Sequence, residues 1–290
     1  MIGRRLFSLA VWAVLSWCAV AVAEQKVLFQ KESPYNTVVV TEDDQGMRTL
    51  LFGNEGVRQS VVKVGNLDHL ELPYARAMVS GLALCPEPKR VLVVGLGGGT
   101  IPSFLHKHYP ETRIDGVDID PVVVEAAKQF FGFREDATLK AYVQDGRQFI
   151  EERPNAYDVI FLDAFGSENI PYHLATREFL DAVRLAITGQ GVVLADVWGR
   201  GANPLYDSMV RTYQEVFDEL YILNVRAAGN KILMALPRKL QVAREDLARQ
   251  AGAISKQKRF RFDMAELVTY GYQYAGEKDP RARVLTDKKE

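Results

Sequence analysis

Short apolar runs alternate with amphipathic segments across residues 90–236, and this alternation constrains the fold more than any other feature. Runs such as "RVLVVG", "YDVIFLDAF" and "GQGVVLADVWG" are apolar almost throughout, as is typical of strands that are buried on both faces of a sheet. The intervening segments, such as "PVVVEAAKQFFGF" and "ATREFLDAVRLAI", have the apolar spacing of helices. Strands and helices in this order predict an α/β fold with a doubly wound, mainly parallel sheet.

The segments on either side of the alternation predict additional structure. Residues 24–80 contain three strand candidates, "NTVVVTED", "MRTLLFG" and "GVRQSVVKVG", and predict a small antiparallel β domain that leads into a helix. Residues 81–240 form the predicted α/β domain, which ends in a hairpin around residues 228–230. Residues 241–290 predict a helical extension with a charged, mobile tail.

The first 23 residues predict a secretory signal peptide. The basic start "MIGRR" precedes an apolar stretch that ends in Ala21-Val22-Ala23, a small-x-small cleavage pattern. A retained N-terminal anchor is the alternative, because the apolar stretch is just long enough to span a bilayer. Both interpretations place the domain outside the cytoplasm, in the periplasm or secreted, since the arginines hold the start inside.

Charge and cysteine content narrow the classes of function. The formal net charge is −1 and there is no long basic run, so we expect no nucleic-acid partner. Removal of the signal peptide leaves Cys85 as a single thiol, which cannot form an internal disulfide. The four histidines have no metal-ligand spacing, and we therefore expect no metal.

The glycine loop "GLGGGT" directly follows the first strand of the alternation and precedes a helix. Gly95, Gly97, Gly98 and Gly99 permit a tight turn and a close approach of the backbone to a ligand. The spacing lacks the third glycine of the strict dinucleotide fingerprint, and no Gly-Lys-Ser/Thr follows. The loop therefore favours a nucleoside ligand over a dinucleotide or a triphosphate.

Acids end three successive strands at the sheet edge where ligands of such folds bind. Asp118 lies 19 residues beyond Gly99, where a carboxylate can accept hydrogen bonds from both hydroxyls of a ribose. Asp145 ends the third strand and Asp163 the fourth. Each acid alone could be a cap or a turn residue. Together with the loop, the three predict an adenosine-type ligand.

These motifs resemble those of the spermidine synthases, the polyamine aminopropyltransferases, over roughly residues 30–240. The resemblance implies a methyltransferase-like, Rossmann-like sheet that follows a small β domain. It implies transfer of an aminopropyl group from decarboxylated S-adenosylmethionine to putrescine. On "VDIDP", "QDG" and "YDVIFLDAF", it implies that Asp118 binds the ribose, Asp145 and Gly146 contact the adenine, and Asp163 is the catalytic acid.

The resemblance also implies contacts from other segments. Asn36 in "ESPYNTVVV" and Gln59 in "EGVRQS" match nucleoside contacts, Tyr74 matches a tyrosine of the amine site, and Pro171 matches as well. The predicted cofactor-binding residues are therefore Asn36, Gln59, Gly95, Gly97, Gly98, Gly99, Asp118, Asp145, Gly146 and Pro171.

Three positions depart from the family's pattern. The family has an aspartate where this chain has Gly98, a histidine or glutamine at Ala75, and a second aspartate at Gly166. In the family these groups help hold the diamine, so the departures affect the amine site and leave the identity of the acceptor open. Glu168, Glu71 and Asp196 are candidates to replace the missing carboxylates.

Three functions are compatible with the sequence. The first is a spermidine synthase-like transferase that moves an aminopropyl group to an amine such as putrescine, with Asp163 accepting the proton. The second is a small-molecule methyltransferase that uses intact S-adenosylmethionine. The third is an exported, non-catalytic protein that binds a nucleoside or a polyamine. The resemblance also implies a possible homodimer, and the only predicted membrane contact is through an uncleaved N-terminal segment.

Overall fold

The computed structural model describes residues 25–53, 58–66, 68–165 and 170–288. The predicted signal peptide, Gly166 and Glu168 lie outside the described residues. Within these ranges, none of the helices has the length and apolar character needed to cross a membrane.

A four-stranded antiparallel sheet forms the N-terminal part of the described chain. Its strands are β1 (Lys26–Glu32), β2 (Thr37–Glu42), β3 (Met47–Phe52) and β4 (Arg58–Lys63), which pair in that order. The three predicted strands correspond to β2, β3 and β4. The sequence did not reveal β1, because most of its residues are exposed and its apolar pattern is weak.

The second sheet is larger and contains the predicted parallel strands. Its strands are β5 (Arg90–Val94), β6 (Arg113–Asp118), β7 (Leu139–Val143), β8 (Tyr157–Leu162), β9 (Ile187–Trp198), β10 (Glu219–Asn224), β11 (Asn230–Leu236) and β12 (Tyr272–Tyr274). The spatial order is β12-β10-β11-β9-β8-β5-β6-β7. Strands β5 to β9 pair in parallel, whereas β10, β11 and β12 join antiparallel. The mainly parallel sheet and the closing hairpin are therefore confirmed.

Helices cover both faces of the large sheet. They are α1 (Pro73–Ser80), α2 (Thr100–His108), α3 (Pro121–Phe130), α4 (Gly146–Glu151), α5 (Arg177–Ala186), α6 (Tyr206–Val216), α7 (Arg244–Gln257) and α8 (Met264–Gly271). Val91 and Val93 of β5 belong to the core formed with α1, α2, α7 and α8, whereas Leu92 and Val94 belong to the core formed with α4, α5 and α6. This period of two is expected for a strand that is buried on both faces.

The small sheet packs directly on the α/β domain. Val38, Val40 and Leu50 of the small sheet share a core with Val123 and Ala126 of α3. Each of these five side chains is fully buried. The contact fixes the small sheet beside the large one, so that both parts of the chain can contribute residues to one site.

The last described residues pack against the α/β domain. The Leu285 carbonyl accepts from the Arg177 N–H at 2.8 Å, and the Leu285 N–H donates to Thr212 Oγ1 at 3.0 Å. The Asp287 carboxylate accepts two hydrogen bonds from the Arg147 guanidinium, both at 2.8 Å. The charged composition of the tail did not reveal these contacts, and its predicted mobility stays a prediction.

The strand order reverses at β5, since β6 and β7 lie on one side of it and β8 and β9 on the other. Ligands of doubly wound sheets bind at the carboxyl ends of the strands near such a switch point. The glycine loop follows β5 and Asp163 follows β8, so both motifs lie at this point.

Candidate active site

A pocket opens at the carboxyl ends of β5, β6 and β8 and takes part of its wall from the small sheet. The predicted residues that line it are Asn36, Gln59, Tyr74, Gly95, Gly97, Asp118, Asp145, Gly146, Asp163 and Pro171. Three predicted residues, Gly98, Gly99 and Asp196, do not line it. Glu168 lies outside the described residues. One pocket thus gathers side chains that are more than 100 residues apart in sequence.

The turn after β5 brings the glycine loop against the end of β8. Gly95 has φ 90°, and a Cβ atom there would lie 2.2 Å from the carbonyl oxygen of Asp163. The Asp163 N–H donates to the Val94 carbonyl at 2.8 Å. Only glycine fits this conformation and this close approach without strain. The turn therefore fixes the backbone of Asp163 beside the loop.

Gly98 and Gly99 have structural roles that differ from the expected ligand contact. The Gly98 N–H donates to Ser60 Oγ at 2.8 Å. A Cβ at Gly98 would lie 2.7 Å from the Phe131 ring and 2.9 Å from Ser60 Cβ. Gly99 precedes α2 with φ 68° and lies against the Phe133 ring. The side chains of Ser60 and Phe131 thus fill the space that the Cβ atom of the family's aspartate would need.

Asp118 ties the glycine loop to the end of β6. One carboxylate oxygen accepts from the backbone N–H of Leu96 at 2.9 Å and of Gly97 at 3.4 Å. The other accepts from the Asp120 N–H at 3.0 Å. Burial raises the pKa of Asp118 to about 6, although these hydrogen bonds oppose the shift. A carboxylate has further lone pairs, so this tether is compatible with binding a ribose.

Asp145 caps α4 and also lines the pocket. One oxygen accepts from the Gln148 N–H at 3.0 Å, and the other lies 3.1 Å from His173 Nε2. His173 belongs to the short 3₁₀ turn that follows Pro171, and it lines the same pocket. The sequence did not reveal this partner, because the two residues are distant in the chain.

Asn36 is held in the pocket wall by a link between the two parts of the chain. Its N–H donates to Ser33 Oγ at 3.0 Å, and Ser33 Oγ donates to Asp120 at 2.5 Å. Asp120 also caps α3 by accepting from the Val122 N–H at 2.9 Å. The cap of one helix therefore orients a residue of the turn between β1 and β2.

Asp163 lies at the pocket wall with Tyr74 over it. The Tyr74 hydroxyl lies 3.2 Å from Asp163 Oδ2 and 3.2 Å from the Gln59 carbonyl oxygen. Burial raises the pKa of Asp163 well above its ordinary value, and the charge of Asp196 raises it further. Burial likewise raises the pKa of Tyr74, so its hydroxyl stays protonated and can donate. The arrangement suits a carboxylate that takes up a proton.

Asp196 lies on β9, next to β8, the strand that Asp163 directly follows. It is 2% exposed, and its Oδ2 accepts from Asn230 Nδ2 at 2.7 Å. Burial raises the pKa of Asp196 to about 8. The side chain lies behind the pocket wall, which differs from the direct substrate contact expected for it.

Across 25–53, 58–66, 68–165 and 170–288, no cluster of three or more histidine, cysteine, aspartate or glutamate residues could hold a metal ion.

Ala75 of α1 stands where the family has a histidine or glutamine. It is 3% exposed, and its side chain packs in the hydrophobic core beneath α1.

Comparison with known proteins identifies a matching family model and a similar curated protein. The model of the spermine/spermidine synthase domain matches residues 71–230. The polyamine aminopropyltransferase of Vibrio vulnificus (strain CMCP6) is 34% identical over 223 residues, which cover 74% of each chain.

Two solved structures extend the comparison. A probable spermidine synthase from Corynebacterium glutamicum ATCC 13032 has a TM-score of 0.72 at 21% identity over 90% of this chain and 97% of that one, and it shows the shared fold. Human methyltransferase-like protein 13, in complex with SAH, has a TM-score of 0.59 at 32% identity over 65% of this chain and 93% of that one.

The family model covers more than half of the chain, and the Vibrio relative matches nearly three quarters of it. The similarity supports an enzyme of the aminopropyltransferase kind over the non-catalytic binding protein that the sequence left open. The chain belongs to the spermine/spermidine synthase family.

Proposed function

We propose that the chain transfers an aminopropyl group from decarboxylated S-adenosylmethionine to an amine, and that Asp163 accepts the proton of the attacking nitrogen. The observation that carries this proposal is the position of Asp163. It lies beneath Tyr74 in the same pocket wall as Asp118, Asp145 and the glycine loop. A proton acceptor thus lies beside the predicted nucleoside site.

The adenosine half of the donor occupies the edge formed by the loop and the strand ends. Asp118 accepts from the ribose hydroxyls, and Asp145 and Gly146 lie at the adenine. Gly95 and Gly97 line the pocket beside Asp163, so the sulfur and its substituents lie against the glycine loop. The human relative in complex with SAH, at 32% identity, supports an S-adenosyl ligand in this site.

The reaction is a displacement at carbon. The amine nitrogen forms a bond to the aminopropyl carbon next to the sulfonium, the carbon–sulfur bond breaks, and its electron pair stays on sulfur as methylthioadenosine is released. The nitrogen loses one proton to Asp163. The protein's contribution is alignment of the nucleophile and removal of this proton. Burial raises the pKa of Asp163, which makes its carboxylate a stronger proton acceptor than an exposed one.

Product analysis tests this proposal. Mature chain incubated with decarboxylated S-adenosylmethionine and a panel of monoamines and diamines, putrescine included, should yield methylthioadenosine and one aminopropylated amine, both measured by mass spectrometry. The panel is needed because Gly98 and Gly166 replace two of the family's acids. Absence of both products with every amine would rule the proposal out.

Methyl transfer is the second candidate, and the surroundings of Gly98 favour it. Gly98 stands where the family has an aspartate that helps hold the diamine, and Ser60 and Phe131 fill the place of that side chain, so the pocket wall lacks this carboxylate. The similarity to a human methyltransferase-like protein points the same way. Calorimetry with the intact and decarboxylated donors separates the two functions, because only the intact donor carries a carboxylate on its tail. Tighter binding of the intact donor would favour methyl transfer.

We also propose that residues 1–23 direct export and are removed. The basic start, the apolar stretch and the small-x-small pattern support this. N-terminal sequencing of the protein from an extracytoplasmic fraction should give a chain that begins at Glu24. A chain that retains the apolar stretch in the membrane fraction would favour an anchor instead.

A further inference from the structure

Two carboxylates lie side by side at the carboxyl ends of neighbouring strands. Leu162 of β8 pairs in register with Ala195 of β9, so the next residues, Asp163 and Asp196, are neighbours across the sheet. Adjacent strands are about 4.8 Å apart. The residues two positions earlier, Phe161 and Leu194, both belong to the core on the α1 side. Both acidic side chains therefore point to the same face of the sheet.

The surroundings of this pair contain no neutralising cation among the described residues. The groups that face it are the Tyr74 hydroxyl from α1, the Asn230 amide from β11 and the backbone N–H of Val197, which lowers the pKa of Asp196. Asp196 Oδ2 accepts from Asn230, whereas Asp196 Oδ1 is buried and lies outside hydrogen-bond geometry with every donor in the described part of the chain. A buried carboxylate oxygen without a donor is costly, unless a proton satisfies it.

We infer that Asp196 is a positioning residue that shares a proton with Asp163 and thereby sets the pH range in which Asp163 acts as a base. This inference rests on the proposed function. A proton on the pair satisfies the oxygen that has no partner and leaves one negative charge facing the amine. When the nitrogen attacks, its proton passes to Asp163, so that the pair holds two protons. One of them returns to solvent after the products leave.

The directions of the pKa shifts agree with this geometry. Burial raises the pKa of both carboxyl groups, and the charge of Asp196 adds to the shift at Asp163. Two interacting acids release their protons in steps that belong to the pair. The family has its second aspartate where this chain has Gly166, whereas the second acid here, Asp196, lies on β9 behind the pocket wall.

The pH profile of kcat tests the role of Asp196. Asp196→Asn preserves the side-chain shape, and Asn230 can still donate to its carbonyl oxygen. Loss of the neighbouring carboxylate lets Asp163 release its proton at lower pH, so the acidic limb of the profile should move to lower pH. Asp115→Asn is the matched control, since Asp115 lies on β6 outside the pocket wall and accepts from the Tyr157 hydroxyl at 2.8 Å. A uniform fall in kcat without a shift would overturn the inference.

Infrared titration of the ligand-free mature chain tests the pair without any activity. The band of protonated carboxyl groups should persist to higher pH in the parent than in Asp163→Asn or Asp196→Asn. Asn230→Ala removes a hydrogen bond that lowers the pKa of Asp196, so the band should then persist to higher pH than in the parent. Asp115→Asn should leave this part of the titration unchanged.

The two readouts separate failure of the inference from failure of the proposed function. If each remaining carboxyl group titrates identically with and without its neighbour, no proton is shared and the inference is overturned. If the infrared shifts occur while no amine gives product, the proposed transfer fails together with the role of the pair in it, and only the shared proton stands.

Discussion

At the residue scale, the proton affinity of Asp163 follows from what surrounds its carboxyl group. Burial raises its pKa, the charge of Asp196 raises it further, and the hydrogen bond from Tyr74 partly offsets both effects. The turn at Gly95 holds the backbone of Asp163 against the glycine loop. A basic carboxylate and the predicted donor site therefore share one wall of the pocket.

Asp196 makes the stability of the chain depend on pH. Burial raises its pKa from 3.8 to about 8 in the folded chain. Between these values the folded pair of Asp163 and Asp196 holds a proton that the unfolded chain has released, so the free energy of unfolding falls as the pH rises. Asn at position 196 carries no carboxyl proton to release, so Asp196→Asn removes this fall in the free energy of unfolding. Relative to the parent, the variant should gain on the order of 1–3 kcal/mol between about pH 5 and about pH 8, measured by urea unfolding. A difference that is constant with pH would contradict the assignment.

At the element scale, the site depends on the turn that joins β5 to α2. Gly95 and Gly97 have positive φ angles and line the pocket, whereas Gly98 lies beneath Ser60 and Phe131. The turn is therefore held by its own backbone conformation and by side chains from the small sheet and from the end of α3.

Gly95→Ala should disrupt this turn more than a comparable substitution elsewhere. A Cβ at Gly95 would lie 2.2 Å from the Asp163 carbonyl oxygen, whereas Gly132, with φ 75°, has nothing within 4 Å. Gly132→Ala, the control, should cost about 1 kcal/mol from backbone strain alone. Gly95→Ala should cost more and should also weaken binding of methylthioadenosine, measured by unfolding and by calorimetry. Equal effects of the two variants would show that the close approach is unimportant.

Much of the site could be predicted from the sequence, because the carboxyl ends of parallel strands meet at one edge. Asp118, Asp145 and Asp163 follow apolar runs, and this order alone places them together. The closure over Gly98 could not be predicted, since it depends on Ser60 and Phe131 from distant elements. A pattern of residue types shows which edge an acid lies on, but it does not show which side chains pack over a loop.

The edge strands of the two sheets were also difficult to predict from the sequence. The strands that are buried on both faces were recognisable as apolar runs. The edge strands β1 and β12 were not, because exposed residues dominate them and pairing with a neighbour defines them. The burial of Asp196 also depends on β11, which pairs with β9 only in the folded chain. Such features depend on contacts between segments that are distant in sequence.

At the scale of the whole molecule, the pocket is completed from three parts of the chain. The small sheet contributes Gln59, the large sheet contributes Asp163, and the turn after Pro171 contributes His173. The C-terminal segment supports that turn, because the Tyr172 hydroxyl donates to the Thr286 carbonyl at 3.1 Å. The C-terminal segment therefore stabilises the turn that holds His173, although it does not line the pocket itself.

Deletion of residues 285–290 should weaken donor binding without removing any pocket residue. The deletion removes the pair between Asp287 and Arg147, and Arg147 adjoins Gly146 at the predicted adenine site. We expect the Kd for methylthioadenosine to rise about fivefold, or about 1 kcal/mol, by calorimetry. Arg281→Ala, which breaks only the exposed pair with Asp279, is the control and should bind as the parent does. An unchanged Kd after the deletion would mean that the tail does not support the site.

If Asp163 accepts the proton during aminopropyl transfer, Asp163→Asn should slow the chemical step, which single-turnover product formation measures. The variant keeps the side-chain shape, so it should bind decarboxylated S-adenosylmethionine about as tightly as the parent by calorimetry. It should form methylthioadenosine at least about 100-fold more slowly, since a positioned general base contributes about 10²- to 10⁴-fold. Product formation at the parental rate, with donor binding intact, would contradict the claim.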